Sequence, residues 1–515
     1  MKYCSILHLL TRLTLSLPLL AALPASGQTL NEDAKLTASD AAAGNQFGVS
    51  VAISGTTAVV GAHLDDELGQ NSGSAYVFDV SNPLGVIQIA KLTAADATAF
   101  DQFGISVALS GTTAIIGAND EDDAGSVYVF DITTGQQLFK LTASDAAASD
   151  FFGTSVAISG TTAIIGASGD DDAGSLSGSA YIFDTTTGQQ LFKLTASDAA
   201  ASDRFGSSVS ISGTTAVIGA YQDDDGGTNS GSAYVFDTTT GQQLFKLTAS
   251  DAAANDWFGD SVSISGTTAI IGAYQDDDGG SNSGAAYVFN TITGQQLFKL
   301  TAADAAADDQ FGESVAISGT TAIIGATWDN DAGNRTGSAY LFDTATGQQL
   351  FKLTASDAAS ISAFGNSVAI SNGMAIVGAF FDDSAGSAYL FVGTPPIVQQ
   401  PEDRIVMPGE TATFEMLVAH YDSGAYLWRR NGVELVDGGN ISGATTLSLQ
   451  IVAQESDIAT YDCVITGPWG PLVSIPVVLG VLPDPNACTA DLNGDGVLNF
   501  FDVSVFLSVY GAGCP

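Results

Sequence analysis

Phe205 to Asp256 read FGSSVSISGTTAVIGAYQDDDGGTNSGSAYVFDTTTGQQLFKLTASDAAAND, and close variants of this stretch recur along the chain. Its Lys-Leu-Thr-Ala element stands at Lys35, Lys91, Lys140, Lys193, Lys246, Lys299 and Lys352, and the last four intervals are each 53 residues. Each copy holds four short apolar runs: SSVSIS, AVIGA, GSAYVFD and QQLFKLTA, separated by Ser-Gly-Thr-Thr, an acidic glycine-rich loop and Thr-Thr-Gly. Runs of this length, rich in Val, Ile, Tyr and Phe and broken by Gly and Thr, read as strands. Four strands per copy at a period near 50 predict a β-propeller.

Within GSAYVFD both alternating sets are apolar, Ala233 with Val235 and Tyr234 with Phe236. A strand apolar on both faces is covered on both, as where blades pack face to face. QQLFKLTA is more polar and takes the outer position, with its lysine expected on an exposed edge that it protects from pairing. Phe-Gly occurs seven times, at Phe47, Phe103, Phe152, Phe205, Phe258, Phe311 and Phe364. The last copy lacks its outer run, whereas an orphan Lys-Leu-Thr-Ala precedes the first. Residues 30–38 are therefore expected to supply the outer strand of the seventh blade and close the ring.

The pairing of Phe205-Gly206 with the later Gly219-Ala220 resembles the FG-GAP repeat, found also in the N-terminal propeller of integrin α subunits. The resemblance covers residues 35–392 and implies a seven-bladed propeller. Integrin-type repeats carry calcium-binding D-x-D-x-D-G loops between their first and second strands. Here that connection is Ser-Gly-Thr-Thr without a carboxylate, so those sites do not carry over.

The chain has 56 acidic and 14 basic residues, a formal net charge of −42; residues 35–394 hold 40 acidic and 9 basic. The second-to-third loops and the blade-to-blade loops, which share one face, carry most of the aspartates. One face is expected to be strongly negative, which disfavours nucleic acid and attracts cations or basic partners. Asp170 with Asp172, Asp223 with Asp225, and Asp276 with Asp278 could converge on calcium, completed by backbone carbonyls. The alternative, favoured because acidic runs are usually hydrated, is a solvated loop with no ion.

Residues 1–27 read as a secretory signal, with Lys2 and Arg12 before LTLSLPLLAALPA and then Ala25-Ser26-Gly27. No later run reaches the ~20 apolar residues of a membrane span. A propeller over 28–394 gives way at Pro395-Pro396 to residues 395–482, which resemble an immunoglobulin-like domain: Trp428 as the core tryptophan, Tyr461 as the corner tyrosine, Cys463 at the second cysteine position and Met416 at the first. The inter-sheet disulfide is thus absent and Cys463 is expected to be a buried free thiol. Residues 483–515 contain a calcium-loop pattern, with Asp491, Asn493, Asp495, Asn499 and Asp502 at positions 1, 3, 5, 9 and 12 and the Val497 carbonyl at position 7. With Asp at position 12 this resembles a dockerin module, although dockerins carry two loops and this chain one. It is similar to the tails of exported planctomycete-type bacterial proteins. Cys488 and Cys514 bracket it and read as a disulfide. The whole is all-β: a seven-bladed propeller, an immunoglobulin-like β-sandwich and a small calcium-loop/helix module.

Of three histidines, His8 falls in the signal, and His63 and His420 read as surface residues. There is no H-E-x-x-H, G-x-S-x-G, zinc-type cysteine pairing or Walker loop. A carboxylate pair remains open, yet near-identical repeats offer near-identical environments, where catalysis needs unequal ones. The copies differ after Phe-Gly at Asp260, Glu313 and Asn366, a candidate polar patch at one side of the channel mouth. These features point to a non-enzymatic, exported adhesion or recognition protein. Its partner would be an extracellular protein or glycan, bound through the acidic face, and its tail would anchor it to a cohesin-like or cell-envelope partner with calcium as the cofactor. Two alternatives stand: an accessory protein of extracellular polysaccharide degradation, and an enzyme with its site in the channel.

Overall fold

The computed structural model describes residues 28–120, 124–393, 397–418, 425–467 and 470–482. Each of the first six copies forms an antiparallel sheet of four strands in sequence order; the fourth copy, for example, runs Val209–Ser212, Thr215–Ala220, Ser232–Asp237 and Gln242–Leu247. Tight Gly-Thr-Thr and Thr-Thr-Gly turns allow this meander, and seven such sheets follow one another. Their innermost strands neighbour each other in sequence, and that of the seventh blade, Phe364–Ser371, returns to that of the first, Val51–Ser54. The ring is closed.

Packing between blades explains the two-sided apolar third strand. Ala75 and Val77 of blade 1 share a core with Phe103, Tyr128 and Phe130 of blade 2, while Tyr76 and Phe78 turn the other way, toward blade 7. Each Phe-Gly phenylalanine meets the third-strand Tyr and Phe of its own blade edge-on, Phe103 at 5.5 Å from Tyr128 and 5.9 Å from Phe130. Such contacts contribute about 0.5–1.5 kcal/mol each beyond area burial.

The glycines fix how close the blades come. Gly104 has φ +94°, open to glycine at little cost, and a Cβ there would stand 2.3 Å from the Ser74 carbonyl oxygen. A Cβ on Gly61 of the preceding blade would stand in turn on the Gly104 carbonyl oxygen. The same pairing recurs around the ring and ends with Gly378 against Gly48. Ser50 locks the approach by donating its hydroxyl to the Gly104 carbonyl at 2.8 Å.

Ala34–Leu36 pairs antiparallel with Ser387–Val392 and is the outer strand of blade 7. It reproduces the contacts of the other outer strands. In blade 4, Gln243 accepts the Ser197 backbone N–H at 2.9 Å; at the closure Glu32 accepts the Ser356 N–H at the same distance. One element is unforeseen by the repeat pattern: Gln28–Asn31 adds in parallel to the outer strand of blade 6, giving that sheet a fifth strand.

The described residues between 397 and 482 form separate β-sheets. Ala425–Arg430 pairs with Ala459–Gly467, placing Trp428 opposite Cys463, and Thr411–Glu415 pairs with Ser448–Val452 in another sheet. Trp428, Phe414, Met416, Tyr461 and Cys463 meet in one core. The Tyr461 hydroxyl donates to the Asp457 carbonyl at 2.8 Å. Cys463 is a buried free thiol, its pKa pushed up to about 12 by burial.

Two measurements test the closure and the glycine contacts. Deleting Gln28–Leu36 is expected to lower the midpoint of thermal unfolding by several degrees, because it removes two strands from two sheets; an unchanged midpoint would refute it. Gly104→Ala is expected to cost about 3 kcal/mol in denaturant unfolding, since the methyl group can enter only by moving backbone.

Candidate functional site

The third-strand tyrosine of each blade ends beneath the acidic loops, and its hydroxyl needs a buried partner. Tyr234 donates to Asp223 at 2.9 Å. The outer-strand lysine, paired opposite it in register, reaches the same carboxylate: Lys246 Nζ lies 2.8 Å from Asp223, 2.7 Å from Asp198 and 2.6 Å from Asp225, and 5.3 Å from the centre of the Tyr234 ring. Asp223 and Asp225 come from the second-to-third loop and Asp198 from the blade-to-blade loop, so the lysine ties the two loops together. The unit recurs at Lys193 with Asp145, Asp170 and Asp172, and at Lys299 with Asp251, Asp276 and Asp278. Lys352 binds Asp304, Asp329 and Asp331, and Lys91 binds Asp40, Asp65 and Glu67. At the closure Lys35, on the N-terminal strand, binds Asp357, Asp382 and Asp383.

These contacts correct two expectations. The lysines are not edge guards in solvent: the Lys246 side chain is 19 % exposed. The loops are not simply solvated either, because Asp170, Asp223 and Asp276 are buried, while Asp172, Asp225 and Asp278 stay largely exposed. Burial opposes the Lys246 charge, but its three carboxylate partners outweigh burial and hold the ammonium charged above the usual lysine range. Burial likewise raises the Asp223 pKa, yet Lys246 and the Asp225 N–H bring it below the usual carboxylate range. In five of these triads, all but the Asp40–Asp65–Glu67 set, carboxylate oxygens lie within 4.8 Å of one another, close enough to hold a metal ion. The cation at their centre is the lysine ammonium, and a calcium ion there would have to displace it. The propeller loops as they stand therefore fit lysine and not calcium.

A second set of residues lies where the inner strands begin, on the same side as these loops. The strands scarcely vary between copies, but three positions do: the residue before Phe-Gly, the residue after it, and the residue after Gly-Ala. The first is Gln46, Gln102, Phe151, Arg204, Trp257, Gln310 or Ala363, always with φ between 55° and 60°. A large side chain there costs about 1 kcal/mol that glycine would avoid, and no copy has glycine. The three positions meet across blades. Trp257 lies 5.1 Å from Tyr221 of the preceding blade and 5.4 Å from Tyr274 of its own. Asn366 donates to the Gly48 and Val49 carbonyls of blade 1. Among the described residues, eleven buried side-chain polar atoms lack a hydrogen-bond partner; seven belong to this ring, on His63, Asn119, Arg204, Trp257, Glu313, Thr327 and Asn366. His63 is accordingly no surface residue: burial lowers its pKa to about 4.

Asp260 and Glu313, expected as a polar patch with Asn366, are neighbours. Burial and then the Glu313 charge raise the Asp260 pKa to about 7. Burial raises that of Glu313 against a small opposing effect of Thr327, whose hydroxyl lies near but outside hydrogen-bonding geometry. Asp491, Asn493, Asp495, Val497, Asn499, Asp502, Cys488 and Cys514 lie outside the described residues, as do 1–27.

The FG-GAP repeat model matches residues 30–78, 86–130, 136–183, 189–236, 242–289, 295–342 and 348–391. The chain belongs to the FG-GAP repeat family. Each FG-GAP unit runs from one blade's outer strand through the third strand of the next, out of phase with the sheets by one strand. The motif's two glycines are those that touch between blades. No curated relative matches the chain. Among solved structures, it is similar to titin M4 (26 % identity, 18 % of this chain and 97 % of that one, TM-score 0.16). It is similar also to titin M3 (21 %, 18 % and 100 %, 0.16) and to the tandem Ig repeats of Dlar (17 %, 28 % and 62 %, 0.17). No helix among the described residues is long and apolar enough to cross a membrane.

Lys246→Met leaves Asp223 buried without its cation and is expected to cost about 3 kcal/mol in unfolding. In the same variant added calcium should restore part of the lost thermal stability, whereas the main transition of the parent should ignore chelator; a chelator-sensitive parent would show that the triads do hold metal. Asp260 ionises near 3.8 unfolded and near 7 folded. Between these values the folded state holds a proton that the unfolded state has released, so this group's contribution to stability declines as pH rises from 4 to 7. Asp260→Asn removes that decline. The difference in melting temperature, variant minus parent, should grow from pH 4 to pH 7 and level off above.

Proposed function

We propose that the protein is a non-enzymatic, exported recognition protein whose propeller binds a macromolecular partner at the loop-side mouth of its channel. One observation carries this reading: the side chains that differ between otherwise near-identical blades collect in one ring, where they hold unpartnered polar atoms and aromatic rings. A repeat that only had to fold would have no use for bulky residues in left-handed backbone at six of seven equivalent positions. The acidic loops around the ring contribute a negative field that steers a basic partner toward it, while their own carboxylates stay committed to lysine. Residues 397–482, with Trp428 and the Tyr461 corner at their core, serve in this reading as an immunoglobulin-like spacer. The segment 483–515 is a calcium-dependent, dockerin-like anchor held by Asp491, Asn493, Asp495, Asn499 and Asp502.

A second reading rests on Asp260 and Glu313. Two neighbouring carboxyls, one titrating near neutrality, suit general acid–base chemistry in the channel.

Capture of cell-envelope proteins and polysaccharides by immobilised full-length protein tests both. Trp257→Ala and Phe151→Ala are expected to weaken capture at least tenfold, with Leu244→Ala on the outer edge as the unaffected control. Capture indifferent to both ring substitutions would refute recognition at the mouth, and turnover of a captured polysaccharide that Asp260→Asn abolishes without loss of binding would establish the second reading.

A further inference from the structure

Residues 35–394 contain nine basic side chains, and seven are the lysines of the repeated element. The other two are Arg204 and Arg335, and the latter stacks on Trp328 at 4.0 Å. Buried aspartates elsewhere in the blades have an answering group. Asp223 has Lys246; Asp203, in the loop before Phe205, accepts the Ala200 backbone N–H at 2.7 Å. Asp260 and Glu313 have no ion-pair partner among the described residues, although both are half-buried in the ring and the Glu313 charge acts on Asp260. Arg204, beside Tyr221, pairs with neither. Buried charges are ordinarily paired.

The surroundings of these two carboxyls repeat the chemistry of the lysine sites. There, carboxylates converge on an ammonium that also lies 5.2–5.7 Å from the centre of a tyrosine ring. Here, Asp260 and Glu313 act on the hydroxyl of Tyr274, whose pKa is raised by burial and by their charges, and Tyr274 stands edge-on to Trp257, itself against Tyr221. Carboxylates and aromatic faces are present, and Arg204, the cation that acts on Tyr221, makes no ion pair with either carboxyl. A further observation points inward: Thr327 is 2 % exposed, and its hydroxyl, beside Glu313, has no hydrogen-bond partner. The Glu313 Oε2 atom is also buried and unpartnered.

Resting on the recognition reading above, we propose that this corner of blades 4 to 6 receives a basic side chain, lysine or arginine, of a partner protein, so that Asp260, Glu313 and the Tyr221–Trp257–Tyr274 rings enclose it as the triads enclose the chain's own lysines. A guanidinium or ammonium would offset the repulsion between the two carboxyls and lie against aromatic faces, an arrangement whose cation–π part strengthens with desolvation. Because Asp260 is half-protonated near neutrality, seating a cation there should expel a proton.

The test is calorimetry of the full-length protein at low salt and pH 7 with pentalysine, pentaarginine and uncharged chitopentaose. The proposal expects a basic peptide to bind and the double variant Asp260→Asn, Glu313→Gln to weaken it at least tenfold. The control Asp171→Asn, Asp224→Asn, in exposed loops, removes at least as much charge at pH 7 and should change affinity less than twofold. Repeating the titration in buffers of different ionisation heat should show proton release that disappears in the first variant. Both double variants should melt no lower than the parent, which separates loss of binding from loss of fold. Equal weakening by the two variants, or no binding of either peptide, would overturn the proposal. Chitopentaose binding that depends on Trp257 while the peptides fail would also overturn it, yet leave recognition at the mouth standing; ring substitutions without effect on any partner would remove both.

Discussion

The carbonyl of each Phe-Gly glycine occupies the place where a side chain on the preceding blade's second strand would begin. Everything else in the ring follows from that contact. It brings neighbouring sheets so close that only glycine fits at both positions, Gly61 against Gly104 and so on to Gly378 against Gly48. At that spacing the third strand has a neighbour on each face, which is why Tyr76 and Val77, adjacent in sequence, are both fully buried in different cores. The same spacing sets the blade-to-blade loop beside the second-to-third loop, and only then do Asp198 and Asp223 come within reach of one lysine.

That lysine reconciles an acidic composition with a compact ring. Two or three carboxylates per blade are drawn onto one ammonium and one tyrosine hydroxyl, so the negative loops are stitched together where they would otherwise spread apart. A buried ion pair is a weak source of net stability but a strong source of registry, because a misplaced lysine leaves carboxylates stranded. Its yield here is positional: the loops hold still, and the side chains at the inner strands' ends are presented in a fixed order around the axis.

Much of this was open to reading and some was not. Strand number, blade count and the role of the orphan Lys-Leu-Thr-Ala at Lys35 follow from periodicity, since a strand missing at one end and spare at the other can be matched by counting. Trp428, Met416 and Cys463 were legible as core through the resemblance to an immunoglobulin-like domain. The fate of the lysines was not. Lys246 lies 48, 23 and 21 residues from its three partners, separations at which charge pattern says nothing until the sheet order is known. His63 looked like a surface residue for a similar reason: a polar residue after a turn is usually exposed, and only the convergence of seven inner strands encloses it. Asp260 and Glu313 stood out as departures from the repeat, but the action of the Glu313 charge on Asp260 became visible only when successive blades brought them near each other. The parallel strand Gln28–Asn31 has no counterpart in any other copy, so no periodicity could have announced it.

The closing strand has a consequence for the order of events during synthesis. The partner of Ala34–Leu36 is Ser387–Val392, about 350 residues later. At 5–20 residues per second the first-made strand waits roughly 20–70 s before its proper neighbour exists. Throughout that wait the third strands of six similar blades offer it alternative partners, and a second nascent chain can offer another. An exchange of clasps between two chains would satisfy the same glycines, tyrosines and lysines. What singles out the correct clasp is the segment just ahead of it, since Gln28–Asn31 lies along Phe351–Thr354 of blade 6 and Glu32 bonds Ser356. Those few residues act as a latch that distinguishes the chain's own beginning from six internal imitations of it.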